Sequence, residues 1–252
     1  SYKVGDTITI TTTFSEAVTV DTTGGIPSLL LETGSIDRIA TSVSGSGSNT
    51  LTFSYTVQAG DISADLDYQT TAALGLNGAT IRGATSNDAV LTLPTVGTGG
   101  SLSANKALVV DGLRPAATSI TFSDTALRIG ETATVTVTFN EQISGLDTAD
   151  FSVANGSLSG LSTSDGGLTW TATFTPSANV SDATNLITLD NTGVMDQAGN
   201  IGSGTTDPVN YAIDTQRPTA TIVVTDTALK AGQGTTVTIT FSEAVTGLTT
   251  TD

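Results

Sequence analysis

Apolar and polar residues alternate along several short stretches of the chain. Between Asp6 and Phe14 the sequence DTITITTTF puts Ile8, Ile10 and Phe14 on one side and threonines on the other. A period of two residues is typical of a β-strand that buries one of its faces. We predict further strands in this part of the chain at 27–31, 38–43, 51–57, 68–76 and 106–110. A long loop, 77–105, separates the last two strands.

A second series of strands follows in the middle of the chain, separated by Asn-Gly and Asp-Gly-Gly turn sequences. These strands are predicted at 117–123, 132–140, 150–154, 158–163, 168–175, 186–189 and 209–213. In 168–175 the alternation puts Leu168, Trp170, Ala172 and Phe174 toward the core. No segment has the period of a helix. Seven short strands in about 100 residues are typical of an immunoglobulin-like sandwich. We therefore predict an all-β chain of tandem immunoglobulin-like β-sandwich domains, each with seven antiparallel strands.

The boundaries between these domains carry a repeated sequence. VVDGLRP at 109–115 and AIDTQRP at 212–218 each join a strand, an Asp, two turn residues and Arg-Pro. Related segments, DTALRIGETATVTVTFNE and DTALKAGQGTTVTITFSE, begin 102 residues apart, at Asp124 and Asp226. Proline fixes φ and favours an extended residue before it, so each junction should be stiff. The predicted domains, called here the first, second and third units, are 1–113 (N-terminal strand incomplete), 114–216 (complete) and 217–252 (truncated).

Composition excludes several classes of function. The formal net charge is −16, from 24 acidic and 8 basic side chains, which disfavours binding to nucleic acid or to an anionic membrane. No apolar run is long enough to enter a membrane. The chain has no cysteine, so neither disulfides nor thiolate metal sites are available. Without histidine, a cysteine nucleophile or a recognisable catalytic motif, we expect no enzymatic activity.

Several longer segments resemble a known family. SDTALRIGETATVTVTFNE, TSDGGLTWTATFTP, NVSDATNLITLDNTGVMDQAGN and YAIDTQRPTATI are similar to the tandem bacterial immunoglobulin-like repeats of giant, RTX-type surface adhesins, which are often exported by type I secretion. YKVGDTITITTTFSEAVTV resembles a sister repeat. The resemblance implies an extracellular stalk on the bacterial surface, or secreted, that projects a distant domain toward a host or surface ligand. It also implies calcium ions between neighbouring repeats, which are then the chain's immediate partners.

The topology of a seven-stranded sandwich places acidic residues from two units at the first junction, 109–115. The exit strand and EF loop of the first unit meet the BC and FG loops of the second unit there. These carboxylates would repel one another unless a cation lay between them, and calcium accepts carboxylate, amide and carbonyl oxygens. Asn200, in the FG loop, offers an amide oxygen. The predicted calcium ligands at this junction are Asp65, Asp67, Asp111, Glu141, Asp147, Asp150 and Asp196.

A thinner set of acids is expected at the second junction, 212–218. The predicted ligands there are Asp124, Asp182, Asp214 and Glu243. Any single Asp in so acidic a chain could instead be an ordinary turn residue. Asp111 and Asp214 are the strongest candidates, because both precede Arg-Pro by the same spacing.

Two functional alternatives remain open. The first is a carbohydrate-binding or accessory module of a secreted enzyme, which would usually expose aromatic residues on one face. The second is a self-assembling filament or surface-layer protein, in which lone strands at the end of one chain complete a sandwich at the start of the next. A threonine-lined ice-binding face is disfavoured, because sandwich strands twist and threonine is an ordinary outward-facing β-residue.

Overall fold

The computed structural model describes residues 1–207 and 210–249. The alternating segments of the first unit form strands, and one short helix lies among them. The elements are β1 (Thr7–Asp21), β2 (Ser28–Leu31), β3 (Arg38–Ser44), β4 (Ser48–Thr56), β5 (Ile62–Ser63), β6 (Leu74–Gly75), β7 (Thr80–Gly83), α1 (Leu102–Asn105) and β8 (Val110–Asp111).

The long strand β1 organises the first unit. Its first half pairs antiparallel with β4, and after an irregularity between Thr13 and Val18 its second half pairs with β7. The resulting sheet has the order β6-β2-β3-β4-β1-β7, and β5 pairs separately with β8. Ile8 and Ile10 are buried, as the alternation predicts, whereas Phe14 is half-buried against the core. A further parallel bridge joins Tyr2 to Val110, so the first residues lie beside the exit strand.

Three predictions for the first unit are wrong. The strand expected at 68–76 is reduced to Leu74–Gly75, and the strand expected at 106–110 is reduced to Val110–Asp111. The loop expected at 77–105 contains both β7 and α1. The helix begins after Ser101, whose side chain accepts a hydrogen bond from the Ala104 N–H. A single helical turn has no apolar periodicity to reveal it, because its caps and not a buried face define it.

The second unit contains more strands than the alternation reveals. Its elements are β9 (Ala117–Phe122), β10 (Ala126–Arg128), β11 (Ala133–Phe139), β12 (Phe151–Val153), β13 (Gly156–Thr163), β14 (Thr169–Pro176), β15 (Ser181–Asn185), β16 (Ile187–Asp190), β17 (Thr205–Thr206) and β18 (Tyr211–Asp214), with 3-10 turns at Thr148–Asp150 and Asn191–Gly193. The short strands β10, β15 and β17 were not predicted, and β10 runs parallel to β18. Val209, in the predicted strand 209–213, lies outside the described residues.

The core of the second unit lies between its sheets, which have the orders β13-β14-β11-β9, β12-β16-β17 and β10-β18-β15. Phe122, Phe174 and Tyr211 pack together there, with ring centroids 4.8 to 5.8 Å apart. Ala172 and Phe174 are buried as predicted, but Leu168 is exposed and Trp170 is only half-buried. The all-β fold class of immunoglobulin-like sandwiches is confirmed.

The third unit consists of a hairpin, β19 (Ala220–Val224) and β20 (Val237–Phe241), over the part that is described. Its register repeats that of β9 and β11, since Ile222 pairs with Ile239 as Ile120 pairs with Val137. The environments differ: Ile120 is 3% exposed, whereas Ile222 is 65% exposed. The two strands therefore keep the same register in both environments. The burial of their apolar side chains depends on the other strands of the sandwich. Within the described part of the chain, no helix is long and apolar enough to cross a membrane.

Candidate metal centre

The first component of the candidate site is the exit strand of the first unit. Asp111 ends β8, and its backbone N–H donates a hydrogen bond to the Tyr2 carbonyl at 2.8 Å. Its carboxylate accepts a longer hydrogen bond, 3.3 Å, from the Leu113 N–H at the start of the linker. The Asp111 side chain is half-buried. The acid is thus held at the point where the chain leaves the first unit.

The second component follows β11 in the second unit. Asn140 binds the linker from both sides: its side-chain oxygen accepts from the Ala116 N–H at 2.9 Å, and its amide donates to the Arg114 carbonyl at 3.0 Å. The next residue is Glu141, which is half-buried. Its Oε1 atom is buried and has no hydrogen-bond partner. A buried carboxylate oxygen without a partner is costly, so this atom calls for a proton or a cation.

The third component is a tight turn between β16 and β17. The Asp196 Oδ1 atom accepts hydrogen bonds from the backbone N–H groups of Gly199, at 2.6 Å, and Asn200, at 2.8 Å. Gly199 has a φ of +89°, a conformation that favours glycine. Asp196 is 5% exposed. The turn therefore fixes a buried carboxylate through the backbone.

These three acids meet at the first junction. One carboxylate oxygen of each residue lies within 4.8 Å of the others, and no second group of three or more metal-ligating side chains occurs in 1–207 or 210–249. Asp111 comes from the first unit, whereas Glu141 and Asp196 come from the second. The predicted ligand set therefore contains a subset, drawn from both units, that the fold does bring together.

Burial and mutual repulsion shift the titration of this group. Burial raises the pKa of the Glu141 carboxyl to about 7, and the charges of Asp196 and Asp111 add to the shift. Burial also raises the pKa of Asp111, with Asp196 as the next cause. An all-oxygen set without nitrogen or sulfur suits a hard cation such as calcium, which takes about six to eight oxygens. The partnerless Glu141 oxygen and the oxygen-only donor set thus fit calcium.

A comparison with protein-family models places this geometry in context. The model described as a bacterial Ig-like domain matches residues 111–213 and again residues 214–252, which together make up more than half of the chain. The chain belongs to the bacterial Ig-like domain family. No curated protein matches it. Bacterial Ig-like domains are commonly extracellular and typically non-catalytic, and the family indicates an extender-type module. The two matches meet between Ile213 and Asp214, near the predicted boundary at 216/217; the limits of the three units stay predictions.

Two further predicted ligands of this bacterial Ig-like chain form a local cap. The Asp147 carboxylate accepts from the Ala149 N–H at 2.6 Å, and the Asp150 carboxylate accepts from the Asp147 N–H at 2.8 Å. This reciprocal pair is a capping box on the 3-10 turn at Thr148–Asp150. Asp147 and Asp150 therefore lie outside the three-acid group, because their oxygens satisfy the backbone of their own loop.

The two acids of the predicted EF loop also lie outside the group. Asp67 is buried, and its carboxylate accepts hydrogen bonds from the Leu102 N–H at 3.1 Å and from the Ser103 hydroxyl at 2.6 Å. It fixes α1 to the body of the first unit. Asp65 is exposed, and its carboxylate accepts from the Leu108 N–H at 3.2 Å. Both residues support the long segment that precedes β8.

The acids predicted for the second junction do not form a group in the described part of the chain. Asp124 accepts from the Ala126 N–H in its own turn. Asp182 accepts from the side-chain amide of Asn155 at 3.1 Å. Asp214, at the end of β18, and Glu243 are exposed. The VMDQAGN segment that supplies Asp196 belongs to the second unit, and it faces the first junction.

Sequence reasoning missed the roles of two asparagines. Asn140 holds the linker, and Asn200 uses its amide in hydrogen bonds between the units instead of leaving it free as a ligand. The signal for Asn140 is its position directly before Glu141, where the third unit has Ser242. Asn200 is signalled by its place at the end of a turn that begins with Asp and contains Gly199. Neither signal identifies a partner in the other unit.

Proposed function

We propose that the chain is an extender segment of a bacterial surface adhesin, which projects a distal ligand-binding domain away from the cell. In this proposal a calcium ion at the first junction stiffens the passage between the first and second units. The observation that carries it is the convergence of Asp111, from one unit, with Glu141 and Asp196, from the next. Membership of the bacterial Ig-like family supports the extender role.

The proposed mechanism is electrostatic. Without a cation, three carboxylates face one another across the boundary; burial raises the pKa of Glu141, and repulsion from Asp196 and Asp111 raises it further. A bound ion replaces repulsion by attraction to both units at once, so the ion restricts the angle between them more than it stabilises either unit. The expected dissociation constant is on the order of 0.1 to 1 mM, as for other extracellular calcium modules. Such an affinity is sufficient where calcium is abundant.

No observation favours the carbohydrate-binding alternative. The single tryptophan, Trp170, is half-buried, and its ring N–H donates to the Gly167 carbonyl at 3.1 Å. Phe122, Phe174 and Tyr211 pack against one another inside the second unit.

The test is small-angle X-ray scattering of the chain in calcium and then in chelator. We expect a narrower distribution of shapes in calcium than in chelator. Glu141→Gln keeps the shape of the side chain and removes its charge, so it should abolish the difference. Asp214→Asn, at the corresponding place in the second junction, is the matched control and should leave it intact. Identical profiles of the wild type in both conditions would contradict the calcium mechanism.

A further inference from the structure

The side chain of Asn200 connects the two units without any ion. It is 2% exposed and lies in the second unit, directly after the turn that holds Asp196. Its oxygen accepts a hydrogen bond from the backbone N–H of Val4 in the first unit at 2.8 Å. Its amide donates to the Asp111 carbonyl, also in the first unit, at 2.7 Å, and to the Asp196 carboxylate at 2.7 Å. An asparagine amide has one acceptor oxygen and two N–H donors, and all are used here.

The two groups that Asn200 binds in the first unit belong to one rigid piece. The Tyr2 N–H donates to the Val109 carbonyl, and the Asp111 N–H donates to the Tyr2 carbonyl, both at 2.8 Å. The Gly5 N–H in turn donates to the Val57 carbonyl at 2.9 Å. The N-terminal turn and the exit strand are therefore fixed to each other and to the sheet. Because Asn200 binds both, it restrains rotation as well as separation of the units.

A neighbouring contact acts in the same direction. The Lys3 ammonium group donates to the Gly199 carbonyl at 3.3 Å, so the same loop of the second unit meets the N-terminal turn of the first unit twice. Lys3 is exposed, however, and an exposed contact at this distance is weak. The buried amide, with its three short hydrogen bonds, is the principal link.

We infer that Asn200 is a clasp that docks the second unit onto the first in the absence of metal. It also acts as a positioning residue, since it holds the Asp196 carboxylate and the Asp111 backbone together; this second role rests on the proposed calcium function. Calcium then further restricts the angle between two units that Asn200 already holds together. The junction has two layers of restraint, one made of neutral hydrogen bonds and one of charge.

Amide hydrogen exchange of the full chain in chelator tests the clasp. The Val4 N–H should be protected in the wild type without calcium, and Asn200→Ala should remove that protection. The Gly5 N–H, which is bonded within the first unit, should keep its protection and show that this unit remains folded. Fluorescence of Trp170 reports the same for the second unit. If Val4 exchanges as an exposed amide in the wild type, or stays protected in Asn200→Ala, the clasp is refuted.

Two further variants distinguish loss of the clasp from the general effect of removing a hydrogen-bonded asparagine. Asn210→Ala removes hydrogen bonds to Asn185 and Ala183 inside the second unit, so the Val4 protection should be unchanged; its loss there would contradict the clasp. Asn200→Asp has no N–H for the Asp111 carbonyl and puts a second carboxylate against that of Asp196, so it should lower the Val4 protection at least as much as Asn200→Ala. Full protection of Val4 in Asn200→Asp would contradict the role of the amide donors.

Calcium titration of the same proteins tests the positioning role. Loss of a residue that orients metal ligands typically weakens affinity by about 10- to 100-fold, and we expect this for Asn200→Ala. An unchanged affinity in that variant would overturn the positioning role. If the wild type binds no calcium while Val4 remains protected, the proposed calcium function fails and the clasp stands.

Discussion

The two junctions are similar in the exit strand of the preceding unit. In the described part of the chain, they differ in the residues that the following unit contributes. At the first, Tyr2 bridges Val110 in parallel beside Asp111; at the second, β10 pairs in parallel with β18, and Arg128 lies opposite Asp214. At the first junction a complete second unit adds Glu141, Asp196 and Asn200. At the second, the described residues add a hairpin and an exposed Glu243. The three-acid group at the first junction therefore uses loops of the second unit as well as the exit acid.

The linkers differ in the same sense. Asn140 binds the first linker with its own N–H and with both polar atoms of its side chain. At the corresponding position Ser242 accepts from the Thr219 N–H with its hydroxyl at 2.9 Å, and its own N–H donates back to Thr219. The serine hydroxyl is too short to provide the second side-chain link. The candidate site and its linker are thus properties of a pair of units, supplied largely by the upper one.

The largest expected effect is on the stability of the second unit, whose core is packed, in contrast to the hairpin of the third unit. Phe174 is fully buried among aromatic rings, so Phe174→Ala should lower the free energy of unfolding of the second unit by about 3–5 kcal/mol. Ile239 is 42% exposed in the hairpin of the third unit. Ile239→Ala should therefore change the free energy of unfolding of the second unit by less than about 0.5 kcal/mol. Urea unfolding followed by Trp170 fluorescence measures both. Similar losses in the two variants would mean that the hairpin is packed.

The next effect separates the acids of the two junctions. Asp196→Asn removes a buried charge from the three-acid group, and calcium affinity should fall by about 100-fold or more, at least as much as for a residue that merely orients a ligand. Asp214→Asn should leave the affinity unchanged, because Asp214 is exposed and outside the group. Isothermal titration calorimetry measures both. Equal weakening would place the ion elsewhere.

Between pH 5 and pH 8, the calcium-free protein should show a pH dependence that arises at the first junction. The pKa of Glu141 is raised from 4.5 to about 7, so folding disfavours its charged form. The stability contributed by protonated Glu141 is therefore complete below about pH 4.5 and is lost as the pH rises toward 7. In chelator, the urea midpoint reported by Trp170 should fall between pH 5 and pH 8. Glu141→Gln should flatten this slope, and a midpoint that rises with pH would contradict the assignment.

The smallest expected effect is a loss of stability when the first linker is given the residue of the second. Asn140→Ser should keep the contact with the Ala116 N–H and lose the one with the Arg114 carbonyl, at a cost of about 0.5–1.5 kcal/mol for one hydrogen bond. The urea unfolding assay with Trp170 measures this loss. The reverse change, Ser242→Asn, is the control and should not alter the Trp170 signal. No loss in Asn140→Ser would show that the linker is held mainly by its proline.

Alternation along the chain was sufficient to predict the long strands. β4, β11 and β14 have one apolar face each, and their positions follow from a period of two. β1 was predicted only as far as Phe14, and its continuation to Asp21 was not predicted. The short strands β10 and β17 have too few residues for any period. They exist because longer strands nearby present backbone groups for pairing, which is a tertiary effect. The helix α1 likewise depends on hydrogen bonds to the side chains of Asp67 and Ser101. A pattern of apolar residues does not reveal such bonds.

The candidate site was predictable in part, for a related reason. Sandwich topology places the segments of Asp111, Glu141 and Asp196 at one end, so their meeting follows from strand order. It cannot say which nearby acids are already satisfied by their own loops. The sequence DTAD at 147–150 is itself a capping-box pattern, and it accounts for Asp147 and Asp150 locally. The partners of Asn200 lie in another unit, so they are visible only in three dimensions.

The parallel pairing of β10 with β18 has a mechanical consequence. If tandem units are stretched end to end, β18 is pulled toward the following unit and β10 toward the preceding one, so two parallel neighbours slide along each other in opposite directions. The hydrogen bonds between 126–128 and 212–214 then bear the force at the same time, instead of breaking one after another. Shear of this kind resists force better than peeling does, and forced opening is governed by the rate of unfolding. Single-molecule stretching should show the second unit opening at a lower force when this pairing is removed.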